Sequence, residues 1–142
     1  MLNAAFSLVH IIKLLASMVK RILLIDDDED EYAIFKEALA EARLNVECIT
    51  VGCSKTALRV LETLIPDFIF VDYNMPAVNG VECIREIKKI KAASHVPIVI
   101  FSTAMNDAIE HSARASGATA CIRKTDSISK LSSTLEKLML GA

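Results

Sequence analysis

Tryptophan is absent, and only three prolines and four glycines punctuate 142 residues. No low-complexity linker or repeat interrupts the chain, so its length reads as one domain. Basic charge is not in excess: 16 Lys and Arg meet 18 Asp and Glu, a formal net charge of -2. That balance speaks against a nucleic-acid partner. Cys48, Cys53, Cys83 and Cys121 form no C-x-x-C pair and no zinc spacing. They read as free thiols in a reducing cytoplasm. His10, His95 and His111 have no metal-like spacing either. An unbroken membrane span is also missing. The opening "MLNAAFSLVHIIKLLASMVK" is apolar, but Asn3, Ser7, His10, Lys13 and Ser17 recur at helical spacing as one polar stripe. The segment is too short and interrupted to cross a bilayer. It also lacks the basic start and small-residue cleavage site of a signal peptide. We expect residues 1–18 to form an apolar helical extension that packs on its own domain or on a second copy, which admits a homodimer. A membrane-surface or partner-binding helix is the alternative, and Met18 is a second candidate start.

What the chain does have is a regular alternation. Hydrophobic residues make up 53% and charged residues 24%, enough for a substantial core. Short apolar runs fall at Ile22–Ile25, Val46–Val51, Phe68–Val71, Ile98–Phe101 and, more weakly, Ala120–Ile122. The first, third and fourth are apolar at successive positions, the pattern of strands covered on both faces. Helical stripes lie between and after them. They are Tyr32, Phe35, Ala38 and Leu39; then Ala57, Leu58, Val60, Leu61 and Leu64, with Ser54 as the expected N-cap. Val81, Ile84, Ile87 and Ile90 follow, opposed by Arg85, Lys88, Lys89 and Lys91, which we read as a solvated face. Ala108, Ile109 and Ala113 make a weaker helix ending near Gly117, and Ile128, Leu131, Leu135 and Leu138 complete the series. Strand–helix alternation of this kind predicts an α/β domain over residues 19–142, a parallel sheet with helices on both faces.

Ligands of such sheets bind beyond the carboxyl ends of the strands. Asp26 and Asp27 follow the first apolar run, Asp72 the third, Ser102 and Thr103 the fourth, and Lys124 the fifth. Three carboxylates, a hydroxyl and an ammonium therefore converge on one edge. Clustered carboxylates suit a hard divalent cation such as Mg²⁺ (or Mn²⁺), which commonly shares its remaining positions with water and phosphate oxygens. Without it, one carboxylate should have a raised pKa. A carboxylate can also attack phosphorus to give an aspartyl-phosphate, and the transfer needs mainly alignment and charge neutralisation. Asp26 to Glu31 are six consecutive acids. We divide them: Asp26 and Asp27 end the strand, while Asp28 to Glu31 open the next helix, where the dipole favours negative charge.

The segments "ILLIDDDED", "PDFIFVDYNMPAVNG", "VPIVIFSTA" and "SGATACIRK" resemble, in this order and spacing, the receiver domain of two-component response regulators. The resemblance runs from Val19 to Leu140 and implies a flavodoxin-like (βα)5 fold with strand order 2-1-3-4-5. It implies that Asp72 is the phosphoacceptor, Asp27 a direct metal ligand, Asp26 its partner, and the backbone carbonyl of Asn74 a further ligand. Ser102 matches the switch hydroxyl and Lys124 the phosphoryl-contacting lysine. Pro76 and Gly80 match the turn after the acceptor, where glycine allows a positive φ. A sensor histidine kinase or histidine phosphotransfer protein would be the phosphodonor, with an unknown downstream protein as target and a cytoplasmic location. The chain ends soon after its last helix, which we read as a stand-alone receiver without an output domain. Three positions depart from the pattern. Cys121 stands at the switch position usually held by Tyr or Phe. Thr125 replaces a proline, so no cis peptide is expected there. Ala104 brings no polar side chain to position water, so we expect a long-lived phosphoryl group.

Two other readings compete. "LLIDDDED" also fits the D-x-D motif of a haloacid-dehalogenase-type phosphohydrolase, with Asp26 as nucleophile and Asp28 as acid. No later acidic metal motif follows Lys124, however, and Asp72 would have no role. A degenerate receiver that binds a partner without phosphorylation is the third. On the first reading the chain is no enzyme in the turnover sense, catalysing only its own phosphorylation and dephosphorylation.

Overall fold

A computed structural model of the chain describes residues 7–17 and 20–140. The five apolar runs become β1 (Lys20–Ile25), β2 (Val46–Val51), β3 (Phe68–Asp72), β4 (Ile98–Ser102) and β5 (Ala120–Arg123). The helices are α1 (Leu8–Ser17), α2 (Glu29–Glu41), α3 (Ser54–Leu61), α4 (Gly80–Lys88), α5 (Asp107–Ser116) and α6 (Ile128–Leu140). A short 3-10 turn at Lys91–Ala93, which the apolar pattern did not announce, leads into β4. All paired strands are parallel, and the sheet order is β2-β1-β3-β4-β5. This is the flavodoxin-like order expected from the sequence.

Burial follows the pleat. Successive side chains of a strand point to opposite faces, and here both faces are covered. Leu23, Ile25, Ile69, Val71, Ile98 and Ile100 pack with Ala57, Leu61, Ile84 and Ile87 on one side. Ile22, Leu24, Phe70, Val99 and Phe101 pack with Phe35, Ala38, Leu39 and Leu135 on the other. Phe35 meets Phe70 edge-on at 5.0 Å. Fully burying one such side chain contributes about 1.5–3 kcal/mol. The central strands therefore form a rigid platform, while β2, at an edge, stays half-buried.

The helix starts are set by local polar chemistry. Asp28 caps α2, its carboxylate accepting the Asp30 N–H at 2.9 Å. Asn79 caps α4 by accepting from Glu82 N and donating to Glu82 Oε1, both at 3.0 Å. Asn106 caps α5, and Gly117, at φ 115°, ends it. Ser54 is not a cap. Cys53 occupies the cap position of α3 without a capping side-chain bond, and Ser54 is buried as the first helical residue. The cap thus lies one residue before the serine whose type favours that position, and Ser54 is instead buried within the first turn.

The basic face of α4 is spent locally. Arg85 reaches Ser116 Oγ at 3.2 Å, Lys88 the Ser94 carbonyl at 2.9 Å, and Lys89 pairs with Glu86 at 2.8 Å. The N-terminal extension does form a helix. Leu8, Val9 and Ile12 on it are 72, 59 and 55% exposed. Ser7 Oγ pairs with His10 Nδ1 at 2.6 Å, while Asn3 and the side chains of Lys13 and Ser17 lie outside what is described. No helix among the described residues is long and apolar enough to cross a membrane.

Candidate functional site

The carboxyl ends of β1, β3, β4 and β5 supply the site. Asp26 follows β1 directly, and its N–H donates to the Val51 carbonyl at 3.0 Å, which extends the ladder by one residue. It is fully buried. One carboxylate oxygen accepts the Asp28 N–H at 3.0 Å, and the other accepts Lys124 Nζ at 3.0 Å. The Tyr32 hydroxyl, one helical turn into α2, donates a short hydrogen bond to the Asp26 carbonyl. Tyr32 looked like a core residue in the sequence. Its six-residue separation from Asp26 was the available signal.

Asp72 ends β3 and is only 4% exposed. Its Oδ1 accepts the Asn74 N–H at 3.3 Å and lies 3.2 Å from Lys124 Nζ. Burial and the charge of Asp26 push the Asp72 carboxyl up to about 6, with Lys124 and the Asn74 N–H partly offsetting the rise. Burial alone would lower Lys124. The hydrogen bond and charge of Asp26, then Asp72 and Glu31, outweigh it and raise the ammonium above its ordinary range. The same ammonium sits 4.9 Å above the centre of the Phe101 ring.

Ligand oxygens of Asp26, Asp27 and Asp72 can be chosen within 4.8 Å of one another. Asp27 is exposed and Asp26 and Asp72 are buried. This donor set fits a hard divalent cation: all oxygen, multiply charged, and with Asp72 raised in pKa by burial first and by the charge of Asp26 second.

Ser102 ends β4 and is fully buried, whereas Thr103 is exposed. Its Oγ accepts the Ala104 N–H at 3.2 Å, and its carbonyl accepts the Lys124 N–H at 2.9 Å. Cys121 lies half-buried on β5 opposite Ile100. No cis peptide occurs among the described residues, including at Thr125. Gly80 corrects one expectation. The positive φ in the turn after Asp72 belongs to Ala77, at 68°, not to Gly80. Glycine is needed at 80 for closeness: a Cβ there would lie 2.6 Å from the Asp72 carbonyl oxygen and 2.9 Å from Tyr73 Cα. A further residue, Arg123, stands opposite Ser102 in the β4–β5 register. Its guanidinium donates to the Thr103 carbonyl at 3.1 Å and the Met105 carbonyl at 2.6 Å. The sequence pattern does not single it out.

The family model of the response regulator receiver domain matches residues 22–136. The chain belongs to this family. The receiver is 25% identical over 122 residues to the polar-differentiation response regulator DivK of Brucella ovis, covering 86% of this chain and 98% of DivK. It is 25% identical over 117 residues to the probable C4-dicarboxylate response regulator DctR of Bacillus subtilis, covering 82% of this chain. The chain spans about half, 51%, of DctR. Among solved structures, the phosphorylated cyanobacterial phytochrome response regulator RcpA superposes with a TM-score of 0.74 at 26% identity, over 84% of this chain and 90% of RcpA. The magnesium-bound receiver domain of sensor histidine kinase PA1611 from Pseudomonas aeruginosa shares the fold, with a TM-score of 0.72 at 20% identity, over 87% and 98% of the two chains. The protein is therefore a receiver domain of two-component signalling, a family that generally signals rather than turning over substrates, and whose members interact with histidine kinases or phosphotransfer proteins.

Proposed function

We propose that Asp72 accepts a phosphoryl group from the phosphohistidine of a kinase or phosphotransfer protein, and that the modified domain signals by protein contact. The observation that carries this reading is the setting of Asp72. It is a buried carboxylate whose Oδ1 lies 3.2 Å from the Lys124 ammonium, inside a three-carboxylate cluster. An Asp72 oxygen attacks phosphorus as the bond from phosphorus to the donor imidazole nitrogen breaks. The nitrogen keeps the electron pair and is protonated from solvent. Lys124 stands where it can neutralise charge on the transferring group. Ser102, whose Oγ accepts the Ala104 N–H in the form described, would donate its own hydrogen to a phosphoryl oxygen on turning inward. Asp26, Asp27, Asp72 and the Asn74 carbonyl would hold Mg²⁺ or Mn²⁺. Such an ion, when bound, supplies further charge neutralisation and orients phosphoryl oxygens.

The engagement of Asp26 supports Asp72 over the hydrolase reading. Both Asp26 oxygens are held, one by Asp28 N–H and one by Lys124, which leaves a poor nucleophile. Acetyl phosphate with Mg²⁺ should label Asp72 by peptide mass, and Asp72→Asn should lose the label. Label on Asp26 with rapid turnover would instead establish the hydrolase. Followed over time, the label on Ala104→Glu should decay at least about tenfold faster, because a carboxylate then reaches the attacking water. An unchanged decay would refute the long-lived phosphoryl group.

A further inference from the structure

The resemblance to receiver domains implies that Ser102 is a switch hydroxyl, and a switch acts only through what its surroundings are tied to. Here the aromatic that the family usually carries is Cys121, whose short side chain cannot swing as a ring does. The connection visible instead is polar. Beyond Ser102 the chain runs through Thr103, Ala104 and Met105 before α5 begins. The carbonyls of Thr103 and Met105 both accept from Arg123, at 3.1 and 2.6 Å. The amide between them, Ala104 N–H, goes to Ser102 Oγ at 3.2 Å. Arg123 is opposite Ser102 in the strand register, and the next N–H, that of Lys124, donates to the Ser102 carbonyl at 2.9 Å. Three consecutive loop residues are thus held by two side chains, one on each neighbouring strand.

We propose that Arg123 is a positioning residue that latches the β4–α5 loop to β5 and thereby couples any rotation of Ser102 to the β5 edge. The inference rests on the reading of Asp72 as phosphoacceptor. Turning the Ser102 hydroxyl toward Asp72 gives up the Ala104 N–H. The loop can then follow only if the two guanidinium bonds stretch, re-register or pull on β5. A planar fork with fixed donors can hold two carbonyls at once, whereas a lysine offers a single point charge. The latch favours the loop position described here and opposes the rearranged one.

The test uses the full chain with Arg123→Gln and Arg123→Lys, both at an exposed position. Amide hydrogen exchange of residues 103–106 without added ligand should accelerate about tenfold in both variants. Apparent affinity for beryllofluoride with Mg²⁺, a phosphoryl mimic, should rise about fivefold, since the binding-competent loop becomes more populated. Exchange and affinity within twofold of the parent, a fall in affinity, or full restoration by Arg123→Lys would each overturn the latch. Acetyl phosphate labelling of the parent separates the two failures. Loss of labelling at Asp72 would sink the phosphoacceptor reading, while ligand-free exchange still judges Arg123.

Discussion

Asp72 is ionised at neutral pH only against opposition, because burial and Asp26 push its carboxyl up to about 6 from an ordinary 3.8. A carboxyl raised on folding contributes stability that is present below its unfolded pKa and lost as pH rises through its folded value. In metal-free solution the window therefore runs from about pH 4 to above pH 6. Asp72→Asn removes the charge and leaves Lys124 paired with Asp26. It should stabilise the metal-free protein by about 1–2 kcal/mol at pH 8, and the advantage should vanish at pH 4. Denaturant melts at the two pH values check this; an equal gain at both would refute it. At this scale the site was legible because acids, a hydroxyl and a lysine stand at strand ends in a fixed order. Tyr32 and Arg123 were hidden. Their roles depend on which carbonyl a long side chain meets across the fold, and residue type alone does not say.

The start of α4 shows how an element can be set by closeness. Gly80 opens that helix and its N–H donates to the Tyr73 carbonyl at 2.9 Å, which presses the helix onto the end of β3. Gly80→Ala should cost about 1–3 kcal/mol as an overpacked contact, and should weaken phosphorylation by displacing Asp72. Ala77→Gly should instead gain about 0.5–1 kcal/mol, because alanine at φ 68° is strained in a way glycine is not. Chemical denaturation of both variants measures the difference, and a destabilised Ala77→Gly would show that the turn carries no strain. The element pattern was legible wherever apolar periodicity was strong. The exchange of roles between Gly80 and Ala77 was not, since a glycine in sequence announces freedom without saying whether φ or space requires it. The six acids were legible as two groups: Asp28 caps α2 while Asp26 turns back to Lys124.

For the molecule as a whole, a cation that binds only the folded cluster must add to global stability. At a concentration 100 times its dissociation constant, Mg²⁺ should raise the unfolding free energy by about 2.7 kcal/mol. Asp27→Ala should abolish that gain, while Glu31→Ala, in the first turn of α2, should retain it. Thermal melts with and without Mg²⁺ distinguish these outcomes; a retained gain in Asp27→Ala would remove that residue from the metal set.

The ion pair between Lys124 and Asp26 joins residues 98 apart in sequence. Contacts of such separation are late and slow to form, because the closure of a long loop precedes any return from them. During synthesis, Asp26 and Asp27 leave the ribosome long before the lysine does. A nascent chain that has already laid down β1 to β4 still carries a crowded anionic edge without its counter-charge. The pairing of Lys124 with Asp26 is thus a timestamp: it marks the moment at which β5 has docked and the anionic edge gains its own counter-charge.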